Sequence, residues 1–280
     1  MKKFLVFFLI GAVSARLIDD KCEEYSERYK QVKNGGPFSE FSHIGILGFN
    51  VGGNYMDYNC PVVLISESYA LAGAFCFNNR KGGGQILFGT SSTSELDDDN
   101  KLVHIVKTYY HPLYDESDLS KRYALVLIEF SPAIAVDDNV KPACIYSKTA
   151  RDEQPLIDTV WRPTKYEQIK HTACTKTVKH YYNELLKLNS EVVPVKVCKN
   201  KFSPKHIRID DSNLCIKRDY QGLFTSHPDF AGVSQLYENN KIKVVAIDDF
   251  GPLEIDGSVP DVSTRLSDYL DWIESTVWPN

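Results

Sequence analysis

From Phe41 onward the chain is written in short runs of β-branched, aromatic and aliphatic residues. The runs cover 43–49, 61–66, 85–88, 102–109, 124–130, 192–197, 233–237 and 243–247. Clusters rich in Gly, Asn and Asp cut them apart at 50–54, 78–84, 97–100 and 238–240. Many short strands at this rhythm predict an all-β barrel or sandwich. Two segments break the pattern and are predicted as helices, 180–188 and 267–278. In the second, Leu270, Ile273 and Val277 share one face and Ser267 is the candidate cap. No internal repeat is visible. Gly82-Gly83-Gly84 is read as a loop rather than a phosphate cradle, because no Lys-Ser/Thr follows it.

Ahead of this region the chain has a different character. Lys2 and Lys3 precede an apolar stretch over 4–13, and Val13 and Ala15 supply small residues after it. This predicts a cleaved signal peptide over 1–15. No later run reaches the roughly 18 apolar residues of a membrane span. The predicted mature chain is therefore soluble and secreted. The full sequence of 280 residues has a net charge of −5, and losing Lys2 and Lys3 takes it to −7. An acidic surface argues against nucleic acid and anionic membranes as partners. Residues 16–34, polar and charged with one cysteine, are predicted as an irregular arm.

Secretion makes disulfides the expected fate of the seven cysteines, Cys22, Cys60, Cys76, Cys144, Cys174, Cys198 and Cys215. Seven is odd, so at least one is free or pairs with another chain. There is no C-x-x-C, and the spacing does not suggest a zinc site.

Five segments together resemble the chymotrypsin-like (trypsin-type) serine proteases in their insect style. Cys60-Pro-Val-Val-Leu-Ile-Ser-Glu-Ser-Tyr-Ala-Leu-Ala-Gly-Ala-Phe-Cys76 is similar to the family's C-G-G-x-L-I-S-x-x-Y-V-L-T-A-A-H-C. His111-Pro-Leu-Tyr114 resembles H-P-x-Y, and Val140-Lys-Pro-Ala-Cys144 resembles I-R-P-A-C. Pro228-Asp-Phe-Ala-Gly-Val233 stands where G-D-S-G-G-P is found, and Val262-Ser-Thr-Arg265 matches V-Y-T-R. The resemblance covers roughly 35–280, taken as one domain. It implies two antiparallel six-stranded β-barrels followed by a C-terminal α-helix.

The same comparison implies that the catalytic apparatus is gone. The family needs a nucleophilic serine, a histidine base and an orienting aspartate. The histidine position holds Phe75, whose ring cannot carry a proton. The serine position holds Phe230, which has no nucleophilic oxygen. The aspartate position falls on Ala124, or on Arg122 with a small shift, and Asp118 lies too far upstream in either register. The glycine whose N–H would stabilise the oxyanion is Pro228, which has none. Phe224 replaces the aspartate at the pocket base, Asp261 replaces a pocket-wall glycine, and Ser226 replaces a bracing cysteine. The activation sequence I-V-G-G reads Lys33-Asn-Gly-Gly36, so no productive switch is expected, although Asp229 is retained as a buried acid.

The family pattern implies three disulfides, Cys60–Cys76, Cys198–Cys215 and Cys22–Cys144, the last tethering the arm. Cys174 is left over as a buried thiol, an intermolecular bridge or a reactive thiol, in that order. A substitute nucleophile from Cys174 with His171 or His180 is disfavoured. Glu95, Asp97, Asp98 and Asp99 are read as a solvated loop before a calcium site. Asp248, Asp249 and Asp256 are read as a solvated rim of the cleft before a cation or basic-segment site. His104 and His111 are assigned to packing rather than metal. No N-x-S/T sequon is present.

The resulting expectation is a secreted, non-catalytic protease homologue without cofactor or metal. It would bind other secreted proteins, such as proteases, zymogens or inhibitors, as a cofactor or regulator of an extracellular proteolytic or innate immune cascade. The alternatives are a binding protein of reproductive or salivary fluid, and an endopeptidase with residual activity. The six-cysteine clip domain of many cascade members is not seen in the arm.

Overall fold

The computed structural model describes residues 16–28, 39–52, 55–78, 84–94, 101–118, 122–137, 139–170, 177–202, 207–220, 232–251 and 259–279. The proposed signal peptide, residues 29–34 of the arm and Cys174 lie outside them.

Six strands close the first barrel: β1 (Ile44–Gly52), β2 (Tyr55–Leu64), β3 (Tyr69–Gly73), β4 (Gly84–Phe88), β5 (Lys101–Tyr110) and β6 (Leu125–Ser131). Their order around the barrel is β1-β2-β3-β6-β5-β4. The second sheet holds β7 (Cys144–Ile145), β8 (Pro155–Lys170), β9 (Thr177–Val193), β10 (Asn213–Arg218), β11 (Gly232–Glu238), β12 (Lys241–Phe250) and β13 (Asp261–Arg265). β11 pairs with both β8 and β12, so six of these strands close a second antiparallel barrel. β7 adds to its outside, parallel to β12. The double-barrel expectation is met.

Side-chain alternation builds two kinds of core from single strands. On β6, Val126, Ile128 and Phe130 fill the first barrel, while Leu125 and Leu127 face a shared core. Ile44 and Ile46 of β1, Trp161 of β8, Val233 of β11 and Ile247 of β12 meet them there. Polar bonds fix the junction. Trp161 Nε1–H donates to Gly45 O at 3.1 Å, and Asn183 Nδ2–H to Tyr58 O at 2.6 Å. His43 Nε2 and Gln235 Oε1 lie 2.6 Å apart, and Gln235 donates onward to Thr159 Oγ1 at 3.0 Å.

Among the described residues there are three α-helices: α1 (Leu17–Arg28), α2 (Val195–Phe202) and α3 (Leu270–Val277). The arm is therefore not irregular over its described part. Ile18, Cys22 and Tyr25 are buried at helical spacing, and Ile18 packs in the core that holds Ile273 and Val277. The segment 180–188 is strand, not helix. It pairs with β8 from His180↔Glu167 to Leu188↔Asp158, and this tertiary partner overrides the helix preference of its Leu, Lys and Glu. The predicted strand over 192–197 ends at Val193, and α2 begins after Pro194, which cannot donate to a ladder. α3 starts later than predicted. A 3-10 turn at Leu266–Asp268 precedes it, and the cap is Tyr269, not Ser267. The face of Leu270, Ile273 and Val277 is buried as expected.

All three implied disulfides are formed: Cys22–Cys144, Cys60–Cys76 and Cys198–Cys215. The first joins α1 to β7, and the third clamps α2 onto β10.

Candidate functional site

At the end of β3 the chain turns through a 3-10 helix, Ala74–Phe77, held by the Cys60–Cys76 bridge. Ala74 N–H donates to Ala124 O at 2.8 Å, which brings the histidine and aspartate positions of the resemblance together. Neither position offers a titratable group. The half-buried Phe75 ring folds back over Gly73. A Cβ added at Gly73 would lie 2.4 Å from Phe75 Cε1 and 2.8 Å from Cδ1. Only a residue without a Cβ admits the ring in this seat. Ala124 is buried. Arg122, the alternative position, is engaged with Asp118 at 3.1 Å and lies 3.9 Å from Asp210.

On the second barrel a charged cluster is sealed inside the protein. Arg218, at the end of β10, is fully buried among three carboxylates from three other strands. Its Nε donates to Asp158 Oδ2 at 2.5 Å and its Nη2 to Asp248 Oδ1 at 2.6 Å. Nη1 forms an ion pair with Asp261 Oδ2 at 2.9 Å. Asp248 also accepts from Ser263 Oγ and from the Gly232 N–H, each at 2.7 Å. Tyr220 OH donates to Asp261 at 2.8 Å. Asp261 Oδ1 lies against Gly251, where an added Cβ would sit only 2.1 Å away.

One guanidinium cannot balance three carboxylates, and burial penalises the excess charge. Burial pushes Asp261 up to about 6, against the pull of Arg218 and with help from Asp248. Burial likewise raises Asp158. Arg218 is also desolvated, yet the carboxylates outweigh this and hold it protonated.

Asp248 and Asp249 are thus not a solvated rim. Asp248 is committed to Arg218, and Asp249 is buried and accepts from Thr264 Oγ1 at 2.7 and 2.8 Å. The physical reason is local: both lie on β12 between Ile247 and Phe250, where an unpaired carboxylate would be costly.

Of the described histidine rings, His43 and His111 are engaged elsewhere. Burial lowers His43 to about 4, so its ring is neutral. His111 stacks on Tyr123 at 4.8 Å and meets Tyr269 and Trp272 edge-on at 5.3 and 5.1 Å. His104 is exposed on β5. Phe224, Ser226, Pro228, Asp229, Phe230, the Lys33 segment, Glu95, Asp97, Asp98, Asp99, Asp256 and His171 lie outside the described residues, as does the side chain of His180.

Sequence reading missed Arg218 and Asp158. The signal was present: Leu-Ile-Asp158-Thr-Val-Trp and Leu-Cys-Ile-Lys-Arg218 put charges inside strand-like apolar runs. Buried charges demand partners.

The sequence profile of the trypsin family matches residues 44–273. Relatives are the CLIP domain-containing serine protease B15 of Anopheles gambiae, 23% identical over 83% of this chain and 65% of its own length, and the serine protease snk of Drosophila melanogaster, 25% identical over 84% of this chain and 53% of its own. The phenoloxidase-activating factor 1 of Holotrichia diomphalia is 21% identical over 86% of this chain and 67% of its own length. The chain thus spans about half to two thirds of the length of these curated relatives.

Proposed function

We propose, from the premise that this chain belongs to the trypsin family, that it is a secreted, non-catalytic member that works by binding other proteins. The observation that carries this reading is the seat of Phe75. The ring occupies the general-base position and leans on a glycine that the ring itself requires. A phenyl group there takes no proton from a nucleophile and returns none to a leaving group. Phe230 and Pro228 in the nucleophile and oxyanion positions support the same reading from sequence.

The pocket supports it as well. Asp261, at what the resemblance makes a pocket-wall position, is paired with the protein's own Arg218 and lies against Gly251, which leaves its carboxylate committed inside the protein. Three disulfides support an oxidising, extracellular setting. No described helix is long and apolar enough to cross a membrane. Two of these relatives are serine proteases by name, and the third is a phenoloxidase-activating factor. This supports proteases, zymogens or inhibitors of an extracellular proteolytic or innate immune cascade as partners, with this chain as cofactor or regulator.

The test is incubation of the purified secreted protein with a serine-reactive fluorophosphonate probe and a broad peptide library, beside an active relative. The expected result is neither labelling nor cleavage. Cleavage that persists through repurification and is blocked by the probe overturns the proposal.

A further inference from the structure

α2 is clamped onto the outer face of the second barrel. Cys198 and Phe202, four residues apart, are its buried side chains, and the Cys198–Cys215 bridge fixes the two Cα atoms 5.9 Å apart. At about 100° per residue the helix turns Lys196, Lys199 and Lys201 around its other side, and all three are exposed. Ile207 and Ile209 pack with Cys198 and Phe202, and Arg208 between them is exposed. On β10, Leu214 and Ile216 fill the barrel while Cys215 faces α2. Lys217, exposed, projects from the face of Cys215 about 7 Å further along the strand. One disulfide thus gathers five exposed cations from the helix, the loop after it and the strand beneath.

This surface differs in charge from the chain that carries it. The sequence 195–217 holds six basic side chains against two acidic, while the rest of the chain holds 26 against 35. Residues 203–206, Ser-Pro-Lys-His, bring no acid. Both acids of the stretch are engaged. Asp211 pairs with Lys199 at 3.4 Å, and Asp210 accepts from Ser212 Oγ and lies 3.9 Å from Arg122. Glu191 of β9 stands opposite Lys217, which makes Lys217 the weakest contributor. The surface offers charge without apolar anchors: none of the described residues from 195 to 217 is an exposed large hydrophobic.

We infer that the exposed side of α2, with Arg208 and Lys217, is a binding surface for a linear sulfated glycan. Lysines attract sulfates as point charges, and the guanidinium of Arg208 can bind one through two donors. The gain comes from counterions released by the polyanion, which needs no apolar contact. The same feature disfavours a protein segment, since protein interfaces are built around buried aromatic and aliphatic anchors. The acidic remainder of the chain disfavours an anionic membrane. A plane brings that remainder close to like charge, whereas a narrow chain follows the basic surface alone. The inference stands on α2 and β10 and holds whether or not the chain cleaves peptides, so its test is independent of the catalytic one.

The test uses the full chain and fluorescence anisotropy of a labelled heparin octasaccharide over a series of salt concentrations. The same octasaccharide stripped of sulfate, and a peptide of alternating Glu and Ser with equal net charge, are the comparisons. Binding of the sulfated glycan is expected, with both comparisons clearly weaker. Lys196→Gln/Lys201→Gln is expected to weaken binding about ten-fold at low salt and to lower the slope of log affinity against log salt by about two, one for each lost contact. Lys107→Gln/Lys165→Gln removes the same charge from exposed positions on β5 and β8, where each lysine rests over a tyrosine ring, and is expected to change affinity less than about two-fold. No binding at low salt, equal losses from the two variants, or binding of either comparison as tight as that of the sulfated glycan would each overturn the proposal.

Discussion

Replacing Asp261 by Asn should stabilise the protein at neutral pH, although it removes one partner of a buried ion pair. Asp261 is almost wholly buried, and its carboxyl is raised from an ordinary value of 3.8 to about 6. A raised carboxyl pKa means that the folded state holds the proton more tightly than the unfolded chain does. The stabilising share of this group is therefore complete below about pH 4 and lost as the pH rises through about 6. At neutral pH the ionised group weighs against folding by on the order of 3 kcal/mol, from about two pKa units at 1.36 kcal/mol each. Asn mimics the protonated acid in shape, and its carbonyl can still accept from Tyr220 OH. The difference in unfolding free energy between Asp261→Asn and the parent should thus be near zero at about pH 3 and favour the variant by about 1–3 kcal/mol at about pH 7.5. For a domain of this size that is a rise in Tm of several degrees. Urea unfolding at constant ionic strength across this range reads it directly, and taking the difference removes the titrating groups that do not face Asp261. A variant less stable than the parent at pH 7.5, or a difference that does not change with pH, would refute the claim that Arg218 is over-supplied with carboxylates.

Four further outcomes follow from the same contacts. Arg218→Leu leaves Asp158, Asp248 and Asp261 buried without a cation and should cost about 3–5 kcal/mol at neutral pH, part of it recovered on acidification. Denaturant midpoints at two pH values check this. Gly73→Ala drives a methyl into the Phe75 ring and should cost about 1–3 kcal/mol, and less in a Phe75→His background if the ring is the obstacle; a double-mutant cycle measures the coupling. His43 should titrate by NMR near 4 rather than 6.5, and its share of stability, present above pH 6.5, should be lost as the pH falls through about 4. Cys22→Ser with Cys144→Ser should lower stability by about 2–4 kcal/mol and make α1 the first segment cut in limited proteolysis.

How far the sequence could be read depended on how local each signal was. Strands of the first barrel were legible because every second residue faces a core, as Val126, Ile128 and Phe130 do on β6. The face of α3 was legible for the same reason, with period 3.6 in place of 2. β8 was obscured by Pro155, Pro163 and its charged outer half, and β9 by a Leu-Leu-Lys-Leu run that favours helix in isolation. What decided both was their mutual pairing, which is not a local property. α1 hid a buried stripe of three residues in a strongly charged segment. Disulfides became legible only through the family pattern, because seven cysteines alone leave many pairings open. The ion cluster was least legible of all. Asp158, Arg218, Asp248 and Asp261 come from four strands and meet only when the second barrel closes.

The two altered regions bear on whether the site has decayed or been rebuilt. Random loss of function removes a group and leaves its surroundings alone. At the described positions Phe75 and Asp261, a neighbour makes room for the side chain or neutralises it. Phe75 requires the missing Cβ at Gly73, where the resembling motif carries alanine. Asp261 rests on Gly251 and is answered by Arg218, which also binds Asp158 and Asp248. An uncompensated carboxylate at either buried position would threaten a stability that is only about 5–15 kcal/mol in total.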